Sequence, residues 1–382
     1  MAKKKRRKIR TDFRKNREVR TREKGWAKKF DADAVDDDRT QDAATSESVS
    51  GKGAISRRRT VIGVEADEAD GGFQVYLDID EDKCLAGRVL NVHGLHSTVQ
   101  LENGELYECA TRRLLKSLAT DARHVVVTGD RVMIRPVDGK SREGIIERVE
   151  PRSGVVARES RGRQHIIVAN VDQLLIVASA AEPGIKPHLI DRYLITAEKS
   201  GLIPIICINK ADLVDLGTFQ QLAGVYRQMG YRVVFTSAAT GFGIPVLRRV
   251  MAGRETAVSG QSGVGKSSLL NTIDPELQLR TSTVSAETQK GRHTTTTAEL
   301  LPLSGGGYVV DTPGIRQFAL WDVIPSEVAG YFRDIRPYVS RCRFPDCTHT
   351  HEVDCAVKDA VADDLLDARR YDSYCHIVEE GK

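Results

Sequence analysis

No stretch of this 382-residue chain approaches the roughly eighteen uninterrupted apolar residues that a membrane-spanning helix needs. Nor does an apolar core follow the N-terminus, as a secretory signal would require. A soluble, cytoplasmic protein is therefore expected, with no membrane partner. Paired cysteines are missing as well. There are seven, an odd number, and Cys84, Cys109, Cys207 and Cys375 stand alone, which excludes a disulfide framework. Residues 1–60 contain few large apolar side chains. Such a segment cannot bury enough surface to offset its ordering entropy, so it is read as a disordered extension.

What the chain does have is lopsided charge. Residues 1–30 hold 15 Lys/Arg against 3 Asp/Glu, a net of +12, which leaves 42 against 50, or −8, for the remainder. An acidic run (Asp31, Asp33, Asp36, Asp37, Asp38, Asp42, Glu47) follows the basic one. A basic tail on an acidic body is the electrostatic footprint of a polyanion partner, nucleic acid above all. A solvated solubility tail is the plainer alternative.

From 61 to 155 the pattern is short alternating runs (87–92, 97–101, 105–109, 130–134), with Asn103-Gly104 as a tight-hairpin signal. These predict a small β-barrel. An OB-fold suits a nucleic-acid partner, and an SH3-like barrel fits the pattern equally well. From 156 to 320 strands and helices alternate. Apolar runs at 174–177, 203–208, 232–235 and 308–310 are of buried parallel-strand type, with helices predicted over 189–200 and 219–229. An α/β domain with a largely parallel sheet follows. Residues 321–382 are read as helices around a cysteine cluster.

Gly260-Gln261-Ser262-Gly263-Val264-Gly265-Lys266-Ser267, followed by Ser268, sits between a short apolar run and a helical one. That is the strand–loop–helix setting of a phosphate loop. Its glycines let backbone N–H groups turn toward phosphates, and the helix N-terminus adds positive charge. Lys266 would reach the β- and γ-phosphates, and Ser267 would ligate Mg²⁺. Asn209-Lys210-Ala211-Asp212 selects the base. The Asp212 carboxylate can accept from guanine N1–H and the exocyclic amine, a donor pair adenine lacks. Asn209 would brace the loops and the Lys210 stem would cover the purine. In Thr236-Ser237-Ala238, at the end of the next strand, a backbone N–H from Ser237 or Ala238 would meet guanine O6. GTP is therefore favoured over ATP. Asp311, at the end of the run 308–310, would hold Mg²⁺ through water, and the Gly314 N–H would meet the γ-phosphate.

The order of these segments is rotated. In an ordinary GTPase the phosphate loop comes first, whereas here the base-reading loop precedes it and Asp311-Thr312-Pro313-Gly314 comes last. The γ-phosphate sensor thus runs through Gln317-Phe318-Ala319-Leu320-Trp321 into the cysteine region. Nucleotide state would then set the orientation of that region. Ile315 stands where many GTPases place a water-orienting Gln, so the hydrolytic group must come from elsewhere. The segment 290–297 holds His293, which can position or deprotonate water, and a run of threonines, one of which would complete Mg²⁺ coordination. An exposed loop histidine is the plainer reading of His293.

Cys342-x4-Cys347-x-His349-x5-Cys355 offers three thiolates and an imidazole, a tetrahedral set for one structural Zn²⁺ with no open position. His351 is a second possible nitrogen ligand.

On these residues, the region 61–382 resembles the RsgA (YjeQ) family of small-ribosomal-subunit biogenesis GTPases. The permuted order, Gly291-Arg292-His293-Thr294-Thr295-Thr296, Asp311-Thr312-Pro313-Gly314-Ile315-Arg316-Gln317-Phe318 and the zinc spacing carry the resemblance jointly. It implies an OB-fold barrel, a permuted GTPase domain and a zinc domain. It further implies a monomer whose GTP hydrolysis to GDP is stimulated by the small ribosomal subunit, and binding to its rRNA late in maturation. His293 becomes the catalytic histidine, Thr295 the switch residue and Ile315 the family's apolar replacement for Gln. The N-terminal extension is not carried over. Two other classes compete: an RNA-binding tether with GTP as a structural ligand, and a metabolic kinase, which Asp212 disfavours.

Overall fold

The computed structural model describes residues 6–12, 58–65, 73–77, 79–94, 96–111, 125–137, 142–160, 163–279, 298–311 and 324–380. The chain divides into two compact units, 1–79 and 80–382. In the first, β1 (Arg6–Asp12), β2 (Arg58–Glu65) and β3 (Phe73–Leu77) form a three-stranded antiparallel sheet. Arg6 pairs with Val64 and Asp12 with Arg58 across β1 and β2. Of the extension expected over 1–60, only β1 and the first residues of β2 are described, and both are paired strand.

The second unit opens with a closed barrel: β4 (Leu85–His93), β5 (His96–Leu101), β6 (Leu106–Thr111), β7 (Arg131–Pro136) and β8 (Glu143–Val149). Strand order is β4-β5-β6-β8-β7, closed by β7 on β4, and β6 runs parallel to β8. This is the five-stranded Greek-key barrel of an OB-fold, which decides the choice the alternation pattern left open. The Asn103-Gly104 hairpin forms as expected. Gly104 takes φ +85° and its N–H donates to Leu101 O at 2.9 Å. Val89, Val99, Cys109, Val132, Ile134 and Ile146 fill the barrel. A Cβ on Gly87 would lie 2.5 Å from Val99 Cγ1, so that strand position admits no side chain.

A hairpin of β9 (Val155–Ser160) and β10 (Arg163–Ala169) leads into the α/β domain. Its six-stranded sheet has β11 (Gln173–Ser179), β12 (Ile203–Asn209), β13 (Arg232–Phe235), β14 (Glu255–Ser259), β15 (Glu299–Pro302) and β16 (Tyr308–Asp311). The order is β13-β12-β11-β14-β16-β15, with only β15 antiparallel to its neighbour. The strand leading into the phosphate loop, β14, is central although three strands of the sheet, β11, β12 and β13, precede it in the chain. This is a circularly permuted P-loop GTPase fold. Every residue of β11 is buried. Leu174 and Ile176 join one core and Leu175 and Val177 the other, as a strand covered on both faces requires. The helices are α1 (Pro187–Lys199), α2 (Gln220–Gln228), α3 (Ile244–Met251) and α4 (Lys266–Ile273).

The C-terminal region is helical, with α5 (Val328–Tyr331), α6 (Arg336–Val339), α7 (Ala356–Ala362) and α8 (Ala368–Glu380). Its core includes Phe332, Ile335, Val357, Tyr374 and Ile377, together with Ile195 from α1. Phe332 and Tyr374 meet edge to face at 5.6 Å. Among the described residues no helix is long and apolar enough to cross a membrane.

Candidate active site and metal centre

The phosphate loop joins the end of β14 to the start of α4, the context its spacing predicted. Gly260 takes φ +148°, and a Cβ there would fall 2.1 Å from Val177 O on the neighbouring strand, so only glycine lets the chain leave the sheet here. Val264 is buried and anchors the loop from beneath. The Lys266 ammonium donates to Gly260 O at 2.7 Å and Gln261 O at 2.9 Å, which holds it over the loop. Ser262 and Ser268 are exposed, and Gln261 and Ser267 are half-buried.

The base-reading loop starts at the C-terminal end of β12, two strands from β14. Asn209 is buried; its amide donates to Val264 O at 2.9 Å and its carbonyl accepts from Thr236 Oγ1 at 3.3 Å. Lys210 turns the chain at φ +63°, and its ammonium donates to Gly263 O at 2.9 Å and to Glu182 O. Two consecutive side chains of the base-reading loop thus bind two consecutive carbonyls of the phosphate loop. Asp212 is exposed at the turn that follows. Ser237 is fully buried and its hydroxyl accepts from the Thr240 N–H at 3.1 Å. Ala238 O accepts from Thr272 Oγ1 of α4 at 3.2 Å. Asp311 ends β16, beside β14 on the same sheet edge. His293, Thr295 and Gly314 lie outside the described residues. The arrangement is a set of loops at the carboxyl ends of parallel strands, where open α/β sheets bind ligands.

Three bracing residues escape the sequence reading. Thr236 was read only as the lead into Ser237-Ala238, and Thr272 carried no signal beyond its place on α4. Arg248 is a third, closing the C-terminus of α4 through Ile273 O and Thr272 O, both at 2.8 Å.

Cys342, Cys347, His349 and Cys355 converge, their ligand atoms all within 4.8 Å of one another. Cys342 Sγ stands 3.4 Å from His349 Nδ1 and 3.9 Å from Cys355 Sγ, and Cys355 Sγ stands 3.6 Å from the same nitrogen. Ideal tetrahedral Zn²⁺ bonds imply edges of about 3.8 Å between sulfurs and about 3.5 Å from sulfur to nitrogen. The set fits. His351 does not join it: it is exposed and its Nδ1 faces Thr350 Oγ1 at 3.1 Å. Burial pushes the Cys347 thiol up to about 12, and the Cys355 and Cys342 sulfurs push the same way. Gathered so closely, the sulfurs would ionise together only against a bound cation. The ligand loop is itself held. Tyr371 and Tyr374 of α8 donate to His349 O and Thr348 O, each at 2.8 Å. Glu352 accepts from the Thr348 N–H at 2.7 Å, Thr348 Oγ1 at 2.6 Å and the Thr350 N–H at 3.1 Å.

The RsgA GTPase family model matches residues 149–321. The chain is 43% identical over 285 residues to the small ribosomal subunit biogenesis GTPase RsgA of Gemmatimonas aurantiaca, covering 74% of this chain and 92% of that one. The crystal structure of YjeQ from Thermotoga maritima superposes with a TM-score of 0.65 at 35% identity, over 78% of this chain and 98% of that one. YloQ, described as a circularly permuted GTPase, gives a TM-score of 0.61 at 30% identity, over 80% and 97% of the two chains. With its permuted sheet, its barrel and its Cys/His cluster, the chain belongs to the RsgA GTPase family.

Proposed function

We propose that this GTPase binds the small ribosomal subunit through its rRNA, acts late in the subunit's maturation, and hydrolyses GTP to GDP to time its own release. The observation that carries the nucleotide reading is the direct fastening of the base-reading loop to the phosphate loop through Asn209–Val264 and Lys210–Gly263. That fastening sets a fixed distance between a base pocket and a phosphate cradle. Gly260 through Ser268 would hold the phosphates. Ser267, Thr295 and Asp311 would hold Mg²⁺, and Gly314 the γ-phosphate. Guanine would lie against Asn209, Lys210, Asp212, Ser237 and Ala238. His293 would position the attacking water. Cys342, Cys347, His349 and Cys355 would hold one structural Zn²⁺, which ties the C-terminal loops together. The OB-fold barrel and the net +12 of residues 1–30 supply surfaces suited to RNA.

GTP turnover measured with and without isolated small subunits tests the reading. A large stimulation, abolished in His293→Ala while GTP affinity is kept, is the expected result. Slow turnover indifferent to subunits, despite tight GTP binding, would leave a nucleotide-binding tether and remove the timing role.

A further inference from the structure

The α1 helix has two working faces. On one, Lys186 (its N-cap), Leu189, Ile190 and Tyr193 line a small cavity together with Gln261 and Val264 of the phosphate loop. On the other, Asp191, Ile195 and Glu198 meet the C-terminal helices. The centre of that second face is ionic and buried. Arg370 of α8 is 3% exposed and Asp191 is fully buried. The Arg370 guanidinium binds Asp191 Oδ1 through one nitrogen and grips Asp334 with the other two, at 2.9 and 3.1 Å. Tyr226 of α2 donates to the same Asp191 oxygen at 2.8 Å, and Phe332 lies under the guanidinium at 4.5 Å. Beside this centre, Arg333 pairs with Glu198 at 2.7 Å and stacks on Tyr231 at 4.3 Å.

A buried ion triad of this kind is a poor source of stability, because desolvating three charges costs about as much as their attraction returns. What it supplies is one allowed geometry. The same α8 holds the Cys/His ligand loop through Tyr371 and Tyr374. Ligand loop, α8, α1 and the wall beside the phosphate loop are therefore consecutive, directly bonded or packed parts.

We propose that Arg370, clamped between Asp191 and Asp334, is a positioning residue that keys the Cys/His module to α1, so that contact of that module with the small subunit reaches the phosphate loop through α1. This rests on the functional reading above and adds a route separate from the chain that leaves Asp311.

The test compares wild type, Arg370→Met and the charge-free triple Arg370→Met/Asp191→Asn/Asp334→Asn. The triple leaves no buried carboxylate unpaired, so it decides the question if the single variant fails to fold. Read-outs are bound zinc per chain, basal turnover, KM for GTP, affinity for small subunits, and subunit-stimulated kcat. The expected outcome is zinc, basal turnover, KM and subunit affinity near wild type, with stimulated kcat reduced about tenfold or more, in the range of coupling between sites. Arg370→Lys, which keeps the charge, should recover part of it. A folded, zinc-loaded triple that is stimulated like wild type overturns the proposal. Wild type that subunits do not stimulate overturns the functional reading instead, and the coupling with it.

Discussion

Asp212 stands exposed at the first turn after β12, on a backbone that Lys210 turns through φ +63° and that the Ala211 N–H pins to Thr236 O at 3.0 Å. The base-selecting role proposed for it rests on donor and acceptor counting. Replacing the carboxylate by an amide (Asp212→Asn) puts a donor opposite the guanine amine, which offers it no acceptor, whereas the same donor would meet the 2-oxo group that xanthine carries in place of that amine. GTP affinity should fall by about 100-fold, the loss of roughly 3 kcal/mol from two charge-assisted bonds, while XTP affinity rises. Competition binding with the two nucleotides checks it, and a variant that kept its preference for GTP would remove Asp212 from the base pocket. The Glu352 carboxylate ties down the ligand loop through Thr348 and Thr350. Partners that orient metal ligands in this way are typically worth about 10–100-fold in metal affinity. Glu352→Ala should lose zinc to a chelator correspondingly more readily than wild type, with its far-ultraviolet spectrum unchanged while zinc remains bound.

At the scale of elements, what was legible had a local cause. The strands of the α/β sheet read as apolar runs because β11, β12 and β14 are covered on both faces, and Asn103-Gly104 marked its hairpin because the turn needs φ > 0. The loops of the nucleotide site were legible for the same reason, since each occupies a few consecutive residues at a strand end. Alternation could not say where the barrel starts. β2 and β3 alternate like barrel strands yet lie in a separate sheet, β2 paired with β1 and β3 with β2, and closure begins only at Leu85. Contacts across long separations left no trace either: Arg370 meets Asp191 from 179 positions away. Asp274 shows a local signal doing non-local work. It ends α4, caps the turn Pro275–Leu277 by accepting from the Glu276 N–H at 3.1 Å, and reaches the Ser304 N–H at 2.6 Å in the turn between β15 and β16. Burial opposes its charge, but the Ser304 and Glu276 donors outweigh that and hold the carboxyl below its ordinary 3.8. A depressed folded pKa gives stability that is present above the unfolded value and lost as pH falls through the folded one. The Tm advantage of wild type over Asp274→Asn should therefore be full at neutral pH and shrink below pH 3.8. A difference that stayed constant through the acid range would show that the charge contributes nothing.

For the second unit as a whole, the barrel and the α/β domain are joined through a few specific bonds. Arg88 of β4 holds both carboxylate oxygens of Glu255, the first residue of β14, and stacks over Tyr308 at 5.2 Å. Tyr308, the first residue of β16, donates to Gln100 of β5 at 3.0 Å, and Thr128 donates to Ala298 O at 2.9 Å. The bonds to Glu255 and Tyr308 fall at strand starts, at the opposite end from the nucleotide loops, whereas Ala298 precedes the antiparallel β15 and so lies at the Asp311 end of the sheet. The barrel is thus attached to the β14–β16–β15 side of the sheet at both of its ends. Glu255 is nearly buried, and burial lifts its carboxyl above the ordinary 4.5 against the attraction of Arg88. Arg88→Met removes that attraction and leaves the carboxylate only the exposed Arg131, at 4.0 Å, at a cost of about 3 kcal/mol. With the folded pKa raised further, the neutral acid becomes the tolerated form. Its stability is present below the unfolded pKa and is lost as pH rises through the folded one. The Tm deficit of Arg88→Met should accordingly be smallest near pH 4.5 and grow toward pH 8. In Arg88→Met/Glu255→Gln the deficit should be smaller at neutral pH and flat across the range. Thermal melts of the three proteins at stepped pH decide it. A deficit in Arg88→Met that does not grow with pH would mean that Glu255 is hydrated once its partner is gone, and that Tyr308 and Thr128, not the ion pair, hold the barrel in place.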